Sequence, residues 1–99
     1  MKHLKLLSVK PSSDPDKKYD AKFESDTGRE KTVRFGAKGY EDYTQHHDQD
    51  RRRRYIERHS ARENFNKPDT PGALSRWLLW GESTSLLKNL AAFRRKFNL

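Results

Sequence analysis

The sequence predicts an α+β fold: a three-stranded antiparallel meander at the N-terminus, covered by about three C-terminal helices. Two observations predict this class. Residues 19–35 alternate apolar and polar side chains around a glycine-containing turn, and residues 74–97 repeat apolar side chains at helical spacing. A hairpin alone is marginal in water, so the apolar face of the sheet needs a helical cover. We therefore expect the 99 residues to form one small domain, with the meander in 1–36 and a basic helical part in 37–99.

The strands follow from the alternation. Leu4, Leu6 and Val9 indicate a first strand from about residue 3 to 10, and the loop P-S-S-D-P-D at 11–16 ends it. In the turn S-D-T-G-R-E, Gly28 is free to adopt the positive φ of a tight hairpin. The apolar positions of the two hairpin strands are Tyr19, Ala21, Phe23, Val33 and Phe35.

Two helices are predicted to begin at capping residues. Asp48 or Asp50 can cap a helix that extends to about Arg62, because a short acidic side chain accepts from the free N–H groups of the first turn. Thr70 followed by Pro71 combines an N-cap with a proline at the first helical position, which predicts the start of the next helix.

The last two helices carry the apolar residues that should cover the sheet. Leu74, Trp77 and Leu78 share one face of the second helix, and Gly81 is placed to end it. Ser83 can cap the third helix, whose apolar stripe comprises Leu86, Leu90, Phe93 and Phe97.

Charge indicates the kind of partner. The net charge is +8, of which residues 48–99 supply +6, and such a basic half favours a polyanion. The chain has no cysteine, which excludes disulfides and thiolate metal sites and fits a reducing compartment. No apolar run approaches the ~20 residues that span a bilayer. The N-terminus lacks the apolar stretch of a signal peptide, so we expect neither a membrane partner nor secretion.

The segment D-Q-D-R-R-R-R-Y-I-E-R-H-S-A-R, residues 48–62, is the leading candidate for a nucleic-acid-binding helix. Guanidinium groups match phosphate geometry and stack on bases. Two alternatives remain: contact with an acidic protein surface, or a solvated helix whose arginines pair with neighbouring carboxylates. The predicted phosphate ligands are Arg51, Arg52, Arg54, Arg58 and Arg62, and Lys38, Arg94, Arg95 and Lys96 could extend the track.

Other polar motifs carry weaker signals. F-G-A-K-G-Y, residues 35–40, lacks the full glycine spacing and the terminal Lys-Ser/Thr of a P-loop, so a plain turn is preferred over phosphate cradling. H-H-D at 46–48, with His59 later, has no known zinc spacing. We therefore predict no metal, no cofactor and no catalytic residue, and a nuclease is the least favoured class.

Three aromatic residues are candidates for stacking on bases. Tyr40 and Tyr43 precede the arginine-rich segment, although covering the sheet is the commoner role for such rings. Trp77 is expected in the core. Trp80 lies nearly opposite Leu78 on a helical wheel, so it could stay exposed and mark a base or protein contact.

The blocks S-D-T-G-R-E-K-T-V-R-F-G-A-K-G-Y-E-D-Y-T, R-R-R-R-Y-I-E-R-H-S-A-R-E-N-F and P-G-A-L-S-R-W-L-L-W resemble a family of small basic proteins. That family belongs to large double-stranded DNA viruses of algae and amoebae. The resemblance covers roughly residues 3–99, with Phe65 where a Trp would be expected. It implies a viral setting, inside the infected cell or in the virion, and supplies no catalytic residues.

These observations together predict a non-enzymatic, largely sequence-nonspecific nucleic-acid-binding protein, and packaging with viral DNA is one role that we expect of it. DNA is preferred over RNA as the partner. We expect an intracellular location in the host, in the nucleus or a cytoplasmic virus factory, and a possible place in the virion. The alternative is a small structural virion or minor capsid protein whose basic helix binds acidic protein surfaces. The oligomeric state is left open.

Overall fold

A computed structural model describes residues 4–99 of the chain and confirms the α+β class. Its sheet contains β1 (Leu4–Pro11), β2 (Lys17–Ser25) and β3 (Glu30–Ala37), antiparallel and in the order β1-β2-β3. The predicted meander is therefore present. The predicted start of the first strand at residue 3 lies outside the described residues.

The strand register places the apolar residues on one face. Leu6 pairs with Phe23, and Ala21 pairs with Val33, so their side chains share the buried side of the sheet. Gly28 adopts φ +82° in the β2–β3 turn, and its N–H donates to the Ser25 carbonyl at 3.0 Å. This is the positive φ predicted for the turn.

The helical part contains α1 (Tyr43–His46), α2 (Gln49–Ser60), α3 (Pro71–Leu74), a π-helical turn (Ser75–Leu79) and α4 (Leu86–Phe97). The short helix α1 was not predicted. Asp48 caps α2 as predicted, because its carboxylate accepts from the N–H groups of Asp50 and Arg51. Ser60 is the last residue of α2, slightly before the predicted end.

The second predicted helix departs from α geometry after its first turn. Thr70 caps α3 as predicted, but the Trp80 N–H then donates to the Ser75 carbonyl, an i→i+5 bond. This wider turn directs Leu78, Leu79 and Trp80 into the core in succession. Trp80, whose exposure the sequence left open, is 9% exposed and belongs to the core, whereas Trp77, which was expected in the core, packs partly buried against it.

Two predicted helix boundaries also change. Ser85, not Ser83, caps α4, since the Ser85 hydroxyl accepts from the Lys88 N–H and the Ser83 hydroxyl accepts from Ser85 instead. Trp80, not Gly81, is the C-terminal cap of the π-helical turn. A glycine is still required at position 81, because a side chain would not fit there. A Cβ at Gly81 would lie 2.4 Å from the Trp77 carbonyl oxygen.

The core lies between the sheet and the last helices. Phe93 is fully buried, and the other stripe residues of α4 pack partly buried against the same cluster, as predicted. Asn89 joins the elements, because its buried amide donates to the carbonyls of Leu78 and Ser83. The large, fully buried side chains are Phe23, Phe35, Leu74, Leu78, Leu79 and Phe93. Within residues 4–99, none of the helices combines the length and apolar character required to cross a bilayer.

Candidate nucleic-acid interface

The arginines of α2 point in different directions, and one set lines a cleft. Arg51, Arg54 and Arg58 recur at spacings of three and four residues, so they share one side of the helix. That side faces a cleft of about 700 Å³. The end of β3 and the loop that follows also line the cleft, and the π-helical turn and its C-cap contribute Leu79 and Trp80.

Charge within the cleft is partly neutralised by two internal ion pairs. Lys18 lies 2.6 Å from Asp42, and both side chains are largely buried. Arg51 lies 3.8 Å from Glu41, and both side chains are exposed, so this pair contributes little stability. Arg54 and Arg58, which are exposed, take part in no ion pair with any residue from 4 to 99. The cleft therefore presents two guanidinium groups that are available to an anion.

Three aromatic rings stack beside these arginines. Tyr55 lies parallel to Trp80, with ring centroids 4.2 Å apart, and His59 stacks on Tyr55 at 4.1 Å. Burial, with a smaller effect from Glu63, raises the pKa of the Tyr55 phenol to about 12, so this hydroxyl stays neutral at physiological pH. The wall of α2 is therefore both aromatic and cationic.

The ring of His46 also packs against Trp80, and their ring centroids lie 5.2 Å apart. Burial lowers the pKa of His46, and the nearby charge of Arg51 lowers it further. The His46 Nδ1 accepts from the Asp48 N–H at 2.9 Å, which only the ring without a proton on Nδ1 can do. His46 is therefore a neutral packing residue.

The other two residues of the H-H-D segment, His47 and Asp48, are helix caps. His47 is the left-handed C-cap of α1, with φ +56°. Asp48 is used in capping α2, and these backbone hydrogen bonds lower the pKa of its carboxyl group. In the part of the chain from Leu4 onward, no group of three or more His, Asp or Glu side chains is arranged to hold a metal.

Arg52, a predicted phosphate ligand, has a structural position instead. Its Nε donates to the carbonyls of Gly81 and Trp80 at 2.8 and 3.3 Å, and its guanidinium lies 5.6 Å from the centre of the Tyr43 ring. The side chain is partly buried. Arg52 therefore links α2 to the end of the π-helical turn, and its binding of phosphate stays a prediction.

The other predicted basic residues divide between the cleft and distant surfaces. Lys38 is exposed in a groove that adjoins the cleft. Arg62 lies beyond the end of α2 and does not line the cleft. Arg94 donates to the Leu6 carbonyl on β1, and the Lys96 ammonium lies 4.5 Å from the centre of the Trp77 ring. Arg95 is on the same helix as these two and is exposed.

Fewer of the predicted phosphate-binding residues therefore lie together than the sequence predicted. None of residues 94–96 lines the cleft, and Arg94 contacts β1, which lies on the opposite edge of the sheet from β3. Of the basic residues predicted from the sequence, the structure brings together Arg51, Arg54 and Arg58 and places Lys38 nearby.

Only one of the three candidate stacking rings is open to a ligand. Tyr40 is 76% exposed, whereas Tyr43 and Trp80 are 7% and 9% exposed and belong to the core. Base stacking by the two buried rings stays a prediction that this burial disfavours, because Tyr43 and Trp80 already contact other side chains. Tyr43 is buried because it is the first residue of α1, which the capping box of Asp42 and Gln45 fixes against the core.

The loop F-G-A-K-G-Y forms a turn, the preferred interpretation from the sequence. Gly36 and Gly39 adopt φ +81° and +97°, and the N–H groups of Lys38 and Tyr40 already donate to the carbonyls of Asp16 and Ala37. Sequence reasoning missed Lys18 as a lining residue of the cleft, because its position there depends on its pairing with Asp42, which lies 24 residues further along the chain.

Comparison with known proteins gives one match. Searches of curated proteins and of solved structures found none. A model of a family of unknown function, DUF5754, matches residues 7–59. The matched segment runs from β1 to the penultimate residue of α2, so it includes all three arginines of the cleft. It covers more than half of the chain, which therefore belongs to DUF5754, a family whose function is not known.

Proposed function

We propose that this protein binds nucleic acid without catalysis and with little sequence selectivity, through the cleft side of α2. The observation that carries the proposal is the pair Arg54 and Arg58, exposed on one wall and free of ion pairs with residues 4–99. Arginine stays charged at any physiological pH and offers donors in a fork that fits phosphate oxygens. Such contacts give affinity but carry no base information.

The chemistry of the cleft favours binding over catalysis. Its arginines supply fixed positive charge, its buried carboxylate, Asp42, is held by Lys18 and by the first turn of α1, and its exposed carboxylate, Glu41, is paired with Arg51. We propose DNA as the more favoured partner and a viral setting, in the host nucleus, a cytoplasmic virus factory or the virion. That setting rests on the sequence blocks described above and on the net charge of +8.

The test is fluorescence-anisotropy binding of labelled DNA and RNA at several salt concentrations. We expect R54Q/R58Q to lower the slope of log affinity against log salt by about 1.4–1.8, since each phosphate contact contributes about 0.7–0.9. R53Q/R95Q is the matched control, because both side chains are exposed outside the cleft and the change in charge is equal. Equal slopes for the two double variants would remove the cleft from the proposal.

A second candidate is a structural virion protein whose basic helix binds acidic protein surfaces. Contacts within the chain favour it, because α2 already binds carboxylates through Arg51 with Glu41 and Arg53 with Asp50. In that case the protein would remain on its partner after nuclease treatment, and neither DNA nor RNA would bind at low salt.

A further inference from the structure

The cleft contains an exposed aromatic ring as well as the arginines of α2. Tyr40 belongs to the loop after β3 and lines both the cleft and the adjoining groove that contains Lys38. Arg54 and Arg58, on α2, line the same cleft. Two cations and an exposed ring, from two different elements, are thus brought to one depression.

We infer that the cleft takes unpaired nucleotides, so that single-stranded nucleic acid is the ligand of this surface. The base stacks on Tyr40, and the phosphates on either side bind Arg54 and Arg58. This inference rests on the proposed function, which it narrows from nucleic acid in general to single strands. Stacking suits such a site because every base has an aromatic face, whatever the sequence.

The shape of the site favours a single strand over a duplex. Its volume of about 700 Å³ is in the range of pockets that enclose a small molecule, and a nucleotide is of that size. A duplex keeps its bases stacked on one another, so it could place only phosphates on the rim, without contact to Tyr40. The interaction with the ring is therefore available to unpaired bases alone.

The path of the strand follows from the residues shared by the cleft and the groove. Both depressions are lined by Tyr40 and Glu41, and the groove continues to Lys38. A strand held by Arg58 and Arg54 would pass Tyr40 and leave along Lys38. The acidic groups on this path are Glu41, which is paired with Arg51, and Asp42, which is paired with Lys18.

The test compares a labelled oligothymidylate with a duplex of equal length at low salt, for the wild type, Y40A and Y40F. Because Tyr40 is 76% exposed, its removal should leave the fold intact, which circular dichroism checks. We expect the wild type to prefer the single strand. Y40A should weaken that binding by roughly 5- to 150-fold and leave duplex binding unchanged, whereas Y40F retains affinity because the ring remains.

The outcomes separate the inference from the proposed function. Equal or tighter binding of the duplex, with Y40A changing neither ligand, would overturn the single-strand inference and leave nucleic-acid binding intact. Absence of binding to either ligand at low salt would overturn both.

Discussion

Within the run of four arginines, Arg52 should be the one whose loss destabilises the fold. Its Nε donates to two backbone carbonyls at the end of the π-helical turn, whereas Arg53 reaches only Asp50 and is 68% exposed. Substitution Arg52→Gln removes the link between α2 and that turn. Arg53→Gln is the matched control, since it makes the same chemical change one residue along the same helix.

The size of the effect follows from the bonds that are lost. A hydrogen bond from a charged donor contributes about 1.5–3 kcal/mol. The Trp80 carbonyl keeps a donor in the variant, because Arg76 also reaches it at 3.0 Å, but the Gly81 carbonyl loses its donor from Arg52. Arg52 is only partly buried, so we expect the lower end, about 1.5 kcal/mol. For a domain of this length, that is a fall in Tm of about 6–12 °C.

Thermal and urea unfolding, followed by circular dichroism, would measure both variants. We expect Arg53→Gln to lie within about 0.5 kcal/mol of the wild type, as exposed substitutions do. Equal stability of the two variants would refute the structural assignment of Arg52 and return this residue to the set of candidate phosphate ligands.

Two further predictions concern the end of the π-helical turn and the histidine behind Trp80. Gly81→Ala should destabilise the fold by about 1–3 kcal/mol in urea unfolding, because its Cβ would meet a backbone oxygen at 2.4 Å. Gly72→Ala, which meets only the movable Glu63 side chain, should cost less, and the reverse order would contradict this packing. The lowered pKa of His46 means that, below about its ordinary value of 6.5, the unfolded chain binds a proton that the folded chain resists. The free energy of unfolding should therefore fall as pH drops below about 6.5. His46→Gln should flatten that fall below about pH 6.5, and parallel profiles would exclude His46 as its source.

The meander was predictable because its signal is local. Alternating side chains and a glycine turn specify strands and register without reference to the rest of the chain. The caps at Asp48 and Thr70 were predictable for the same reason, since each acts on N–H groups within three residues.

The missed features depend on contacts between distant parts of the chain. Helix α1 is a single turn, and its cap Asp42 is paired with Lys18, which lies on β2. The roles of Arg52 and Arg54 were not separable from the sequence, because α2 has no fully buried residue to fix which side faces the core. The two roles can be distinguished only in the structure, where Arg52 donates to the carbonyls of Trp80 and Gly81.

The π-helical turn also fixes how many residues this part of the chain can contain. An i→i+5 turn accommodates one residue more than an α turn between the same ends. Deleting one residue between Ser75 and Leu79 would therefore permit a regular α turn with Trp80 still at its end. The Trp80 ring would keep its stack on Tyr55, and the cleft would keep that part of its lining. An added residue has no such room, so this segment should tolerate the loss of one residue better than the gain of one.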